Sequence, residues 1–165
     1  MLELKKIAPE SVPEALAKIE RYRLLNEPWH AESICLDVLQ IEPSNRDALV
    51  SLILSRTDQF SQGLKTSAAR EVLPQLSNAY DRAYYSGLIC EREAIAILRR
   101  ASHFAGYDAY ESLEEAMRWY EKAEQIRPAG NDESILRWNA CARMLMRDSS
   151  LCPRPVEPAQ VLLDD

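Results

Sequence analysis

One phrase is written twice in this chain. It runs AESICLDVLQIEPSNRD from Ala31 to Asp47, and AMRWYEKAEQIRPAGND from Ala116 to Asp132. Each copy leads from an alanine through mixed apolar and charged residues to Gln-Ile-x-Pro, then to an asparagine and an acid. The apolar positions within each copy recur three or four apart, the spacing of one helix face. The proline then stops the helix, because the residue before a proline is pushed out of the α region and the proline nitrogen carries no hydrogen. Two helices of like pattern, ended in like manner far apart in the chain, make a repeated helical unit the strongest constraint on the fold. A single hairpin of such helices cannot bury its own apolar stripe, so the repeat implies stacking.

The remaining segments read in the same terms. Ser11-x-x-Glu14 forms a capping box ahead of ALAKIERYRLL, with Pro13 in the first turn, and Val12, Leu16 and Ile19 predict a helix over about 12–25. Asn26 is placed to cap a second helix, which has Pro28 in its first turn and is closed by Pro43. Ser44 and Asp47 open a third helix through ALVSLILSRTDQF, which is apolar on most sides and therefore central. Gly63 breaks the chain, and SAAREVL begins a fourth helix near Pro74. A fifth and longer helix spans about 79–102, with Gly106 expected as a left-handed cap in SHFAGYD. The sixth holds the second copy of the phrase and ends before Pro128; the seventh covers about 132–147. The expected class is all-α, about seven helices joined by connections of a few residues, which set neighbours antiparallel. Taken in pairs, the hairpins fall at about 12–43, 46–77 and 79–128, with a closing helix over 132–147. Residues 1–11 form an N-terminal extension, and the proline-containing segment 148–165 is expected to be a disordered tail.

Within the second copy, Ala116, Tyr120, Ala123 and Pro128 follow Ala-x3-aromatic-x2-Ala with a proline five residues on. Ala31, Cys35, Val38 and Pro43 keep the same frame in the first copy, with two substitutions. This pattern resembles the second helix of the tetratricopeptide repeat, and the resemblance covers most of residues 12–147. Tyr22 falls at the aromatic of that family's first helix, whereas Ile19 departs from the small residue usual there. The signature is hardly visible in the second unit, and Gly87 in YYSGL is placed as the small contact residue of the third unit's first helix. The two copies lie farther apart than two periods of about 34 residues. The fifth helix and SHFAGYD take up the surplus. The resemblance implies a right-handed superhelical stack of antiparallel hairpins, an α-solenoid whose leading helices line a concave groove. It implies a scaffold, co-chaperone or assembly factor that binds a peptide or helix of another protein there. With Tyr22 setting the register, the groove positions would be Leu16, Glu20 and Arg23 on the first helix and Asp47, Val50 and Leu54 on the third. Some members of the family grip acidic chaperone tails with Lys and Asn side chains. Leu16 and Glu20 occupy the first two such positions here, and Glu20 would repel an acidic tail. Tyr84 and Tyr85 are adjacent and cannot face one way, so one of them should line a surface; Tyr84 is the candidate partner contact.

No constellation for catalysis or metal binding can be assembled. Glu27-x-x-His30 has a helical metal-ligand spacing but stands alone, and His103 has no acid or cysteine at ligand spacing. The phosphate-cradling glycine loops and the serine elbow are missing, so no catalytic residue, cofactor or metal is expected. The acids of YESLEEAMRWYEKAE are a solvated helix face, and Trp29, Trp119 and Trp138 read as packing knobs rather than a ligand platform. A formal net charge of -6 argues against nucleic acid as a partner. Neither an apolar run of membrane-spanning length nor a signal segment is evident. Cys35, Cys90, Cys141 and Cys152 are scattered; the first three read as core thiols and Cys152 as exposed, which fits a reducing cytoplasm. Two other roles compete with the interaction module: an accessory or regulatory subunit of a larger enzyme, and a small-molecule or metal-binding bundle. Self-association could cover the open edge of the first hairpin, or MLELKKI could do so. In the tail, PAQVLLDD is a candidate docking motif, for another protein or for this chain's own groove.

Overall fold

Prolines and asparagines set most of the helix boundaries. Pro13 and Pro28 sit in the first turns of their helices, where a missing N–H leaves no bond unmade. The Asn45 side chain accepts from the Ala48 N–H at 2.9 Å, and Asn78 accepts from Tyr80 N–H at 2.8 Å, each cap contributing about 1 kcal/mol. The computed structural model describes residues 1–156. Among them the helices are α1 Val12–Leu24, α2 Pro28–Ile41, α3 Arg46–Thr57, α4 Ser67–Arg70, α5 Ala79–Arg100, α6 Ala105–Gln125 and α7 Glu133–Arg147. The described residues contain no strand and fold as an all-α unit with seven helices. None of these helices is long and apolar enough to cross a membrane.

Several expected boundaries are corrected. Pro9–Ser11 wind into a 3-10 turn that holds Ser11 at φ -84°, ψ -9°, and its side chain makes no capping bond, so the capping box does not form. Asn26 does not cap α2; it turns the chain with a left-handed φ of 58°. The left-handed cap of α5 is Ala101, at φ 50°, not Gly106. Gly106 lies inside the first turn of α6, where a Cβ would run into the Ser150 carbonyl. The fourth helix is a single turn, followed by a 3-10 turn at Leu73–Gln75 that contains Pro74. Arg56 holds this broken segment in place, donating to Glu32 Oε1 at 2.8 Å, Glu71 Oε1 at 2.6 Å and the Ala68 carbonyl. Phe60, Ala69, Val72 and Leu76 supply its buried face.

Helices α1, α2 and α3 pack in succession, as do α5, α6 and α7, while α3 also contacts α1 and α5. One core joins Ile19, Ala31, Cys35, Leu49, Ile53 and Phe60; a second joins Tyr84, Leu113, Ala116, Tyr120, Ala123 and Cys141. The two copies of the repeated phrase do the same packing work. Ala31, Cys35 and Val38 are fully buried in α2, and Ala116, Tyr120 and Ala123 are fully buried in α6. Gly87 on α5 faces Tyr120, as its placement as a small contact residue required. At the other edge, Ile7 packs against the small cluster of Val12, Val38 and Ala48, whereas Met1, Leu2 and Leu4 stay exposed.

Two ion pairs sink a carboxylate into the helix layers. Arg46 holds buried Asp81 with two bonds of 2.6 and 2.9 Å, tying α3 to α5. Glu91 on α5 accepts from the Tyr120 hydroxyl at 2.6 Å and from Arg137 at 3.0 Å, so α5, α6 and α7 meet on one carboxylate. Burial pulls the Arg137 pKa down, but Glu91 and the Tyr84 hydroxyl outweigh it and the guanidinium is held charged. Residues 148–156 are not loose: Leu151 is buried in the second core, and Arg154 pairs with Asp108 beside the Phe104 and Tyr107 rings. Cys152 is half-buried rather than exposed.

Candidate partner-binding cleft

The last turns of α1 and α3 and the second half of α5 surround an open cleft of about 340 Å³. From α1 come Glu20, Arg23 and Leu24; from the end of α3 come Thr57 and Asp58; from α5 come Arg92, Ile95 and Arg99. The sequence puts these residues there for simple reasons. Arg92, Ile95 and Arg99 recur three and four apart and share one face of α5. Arg23 and Arg99 lie in the last turns of their helices, where unpaired carbonyls favour a cation.

Asp58 organises the floor. Arg23 Nε donates to Asp58 Oδ2 at 2.8 Å, and Arg92 stands 3.5 Å from Oδ1 on the other side. Asp58 thus spans from the first hairpin to α5. Three arginines face two carboxylates, Asp58 and Glu20, so the cleft is locally positive on an acidic chain. Guanidinium groups stay protonated throughout the physiological range, so these side chains can donate hydrogen bonds but cannot act as a base. The mouth is flanked by apolar surface, since Leu24 is 82% and Leu25 61% exposed. The arrangement suits gripping a polar chain that also carries apolar side chains.

Of the groove residues expected from sequence, Glu20 and Arg23 line this cleft. Leu16 and Val50 are half-buried and pack on the first core. Leu54 is half-buried on α3, and Asp47 is exposed beside Arg46 at 3.7 Å; neither lines the cleft. Tyr84 is corrected as a surface aromatic: it is only 8% exposed and packs between Tyr80, Tyr85 and Tyr120. Tyr85 is the half-buried member of the pair, and burial pushes its hydroxyl up to about 12. Asp58, Arg92 and Arg99 are the functional candidates that sequence reasoning missed. The linear signal for Arg92 and Arg99 was the basic face of α5; Asp58, at the end of α3, gave none.

The other candidate groups gather no chemistry. His30 is exposed, stacks on Tyr22 at 4.0 Å and lies 3.7 Å from Glu27. No group of three or more metal-capable side chains occurs among the described residues. The thiols of Cys35, Cys90 and Cys141 are buried, and burial pushes them up to about 12, 11 and 12. The segment PAQVLLDD, read as a docking motif, lies outside the described residues. Comparison with protein-family models, with curated proteins and with solved structures finds no match.

Proposed function

We propose that this chain is a non-enzymatic protein-interaction module, a short tetratricopeptide-like superhelical stack that binds a segment of a partner protein across the ends of α1, α3 and α5. The observation that carries this reading is the convergence of those three helices on one open cleft with guanidinium donors inside and apolar shoulders outside. The equivalent burial of the two repeated phrases supports the stacked-unit architecture. Arginine is among the side chains from which protein interfaces draw their strongest contacts, and the exposed leucines add apolar area beside it. The reading places the protein in the cytoplasm, in keeping with four free cysteines.

The test is affinity capture from the native cell with the wild-type chain and with the double variant Arg92→Glu, Arg99→Glu. Neither residue belongs to a core, Arg99 being exposed and Arg92 half-buried on the cleft floor, so helicity by circular dichroism should be unchanged. The module reading expects a stoichiometric partner that the variant loses. Partners retained at wild-type level by the folded variant would remove the cleft as the binding surface.

A further inference from the structure

Helix α7 closes the succession α5, α6, α7 and is covered on one side. Ser134 and Cys141 are buried, and Trp138 and Leu145 pack on the second core, so this stripe faces α6. The opposite stripe, Glu133, Leu136, Ala140, Arg143 and Arg147, recurs at alternating steps of three and four and is exposed along its length. The last helix of a stack meets water and needs a polar outer face. This one departs from that rule: Leu136 is 66% and Met146 84% exposed. After Arg147 the described chain turns back toward the start of α6, where Ser150 lies against Gly106 and Leu151 is buried, and leaves the outer face open.

The charges on this face say what fits it. Its acid, Glu133, stands in the first turn, and its arginines, Arg143 and Arg147, stand toward the end. The ion pairs nearby join Asp132 to Arg127 and Glu91 to Arg137, which leaves Glu133, Arg143 and Arg147 without a partner among the described residues. Glu133, Ala140 and Arg147 are successive heptad positions, so they fall close to one line along the helix. The face is therefore its own complement about a two-fold axis. Two copies of α7 running antiparallel and crossing at Ala140 set each Glu133 level with Arg147 of the other copy, about 10 Å from the crossing. The small side chain of Ala140 lets the two helix axes approach closely. Leu136, just before the crossing, then lies near Met146 of the second copy, just beyond it. A parallel pair would instead set Glu133 against Glu133 and Arg147 against Arg147.

We infer that the outer face of α7 is a homodimer surface, occupied by α7 of a second copy in antiparallel, two-fold arrangement. Helix α7 lends no residue to the cleft between α1, α3 and α5, so the dimer leaves the lining of that cleft free. One helix pair is a small interface, below roughly 1,200 Å², and its assembly depends on concentration.

Sedimentation equilibrium of the full-length chain over a range of concentrations tests this. The wild type should pass from the mass of one chain to that of two. Glu133→Lys alone and Arg147→Glu alone each set like charges opposite one another on both sides of the crossing, and each should weaken association roughly tenfold or more. An equimolar mixture of these two variants should regain it, because each copy then meets the opposite charge on the other. Leu136→Glu should abolish association with an unchanged circular dichroism spectrum, since the residue is exposed in the single chain. In a Cys152→Ser background, Ala140→Cys should give a disulfide-linked dimer under mild oxidation, whereas Gln62→Cys, also exposed, should not. A wild type that stays monomeric up to its solubility limit overturns the inference, as it would if another part of the same chain covered the face. So does a dimer indifferent to Leu136→Glu, a mixture of the charge variants no stronger than either alone, or an Ala140→Cys chain that crosslinks no faster than Gln62→Cys.

Discussion

Replacing Gly87 with alanine separates helix propensity from packing. In an exposed helix interior the change would stabilise the protein by about 0.5–1 kcal/mol, because alanine loses less backbone entropy. At Gly87 an added Cβ would stand 2.7 Å from Tyr120 Cε1, 2.8 Å from Cδ1 and 3.1 Å from the Ala116 carbonyl. Tyr120 has nowhere to go: it is 0% exposed, and its hydroxyl is tied to Glu91 at 2.6 Å. Overpacking of this kind costs about 1–3 kcal/mol. A ring displacement that breaks the bond to a buried carboxylate costs about 1.5–3 kcal/mol more. Packing therefore outweighs propensity, and Gly87→Ala should destabilise by about 3 kcal/mol, a fall of roughly 6–12 °C in Tm for a chain of this size. Urea unfolding followed by circular dichroism reads the change, with Tyr120→Leu as the second arm of a double-mutant cycle. In the Tyr120→Leu background the clash is gone and the alanine should be neutral or stabilising. A Gly87→Ala protein as stable as wild type with Tyr120 in place would refute the reasoning.

Other consequences follow from buried charge and thiols. Arg137→Ala strips Glu91 of the cation it pairs with among the described residues and should cost about 2–3 kcal/mol, less than a fully buried pair because Arg137 is partly solvated, with the fluorescence of α7's Trp138 reporting the loosened helix. Ellman's reagent at neutral pH should modify Cys152 first, while Cys35, Cys90 and Cys141 react only on unfolding. Those three thiols titrate near 11 to 12 when folded and near 9.0 when unfolded, so the folded state holds its protons longer. Their contribution is intact below pH 9 and is lost as pH rises from about 9 toward 12, which urea midpoints measured across that range should show. Triple Cys→Ser substitution should flatten that part of the profile.

What local chemistry dictates was legible in the sequence, and what long-range geometry dictates was not. Pro28, Pro43 and Pro128 announced helix limits because a proline acts on its own backbone. Ala116, Tyr120 and Ala123 announced a buried face because their spacing is that of one helix stripe, and Gly87 could be placed opposite them. Ser11 failed as a cap because Pro9 wound the preceding residues into a 3-10 turn, a competition the capping-box pattern does not contain. The fourth helix failed because Arg56 and four buried apolar residues stabilise its irregular path better than a continued helix crossing Pro74 would. Leu151 looked like part of an unstructured tail since the core it joins, with Ala109 and Cys141 among its members, is built from residues far away in sequence. Tyr84 and Tyr85 alternated as expected, but neighbouring α7 decided which of the two was covered. The cleft itself was half legible. Glu20 and Arg23 followed from the register of α1, whereas Asp58 and Arg92 join them only through the packing of α5 alongside α3.

Site-specific photo-crosslinking puts the binding surface to the most direct trial. A benzoylphenylalanine placed at Glu20 or at Ile95 lies in the cleft; one at Glu121, exposed on α6 beside Trp138 of α7, lies away from it. Irradiated in the native cell, the first two positions should form a covalent adduct with the same partner and the third should form none. Adducts from Glu121 alone, with silent cleft positions, would contradict the account.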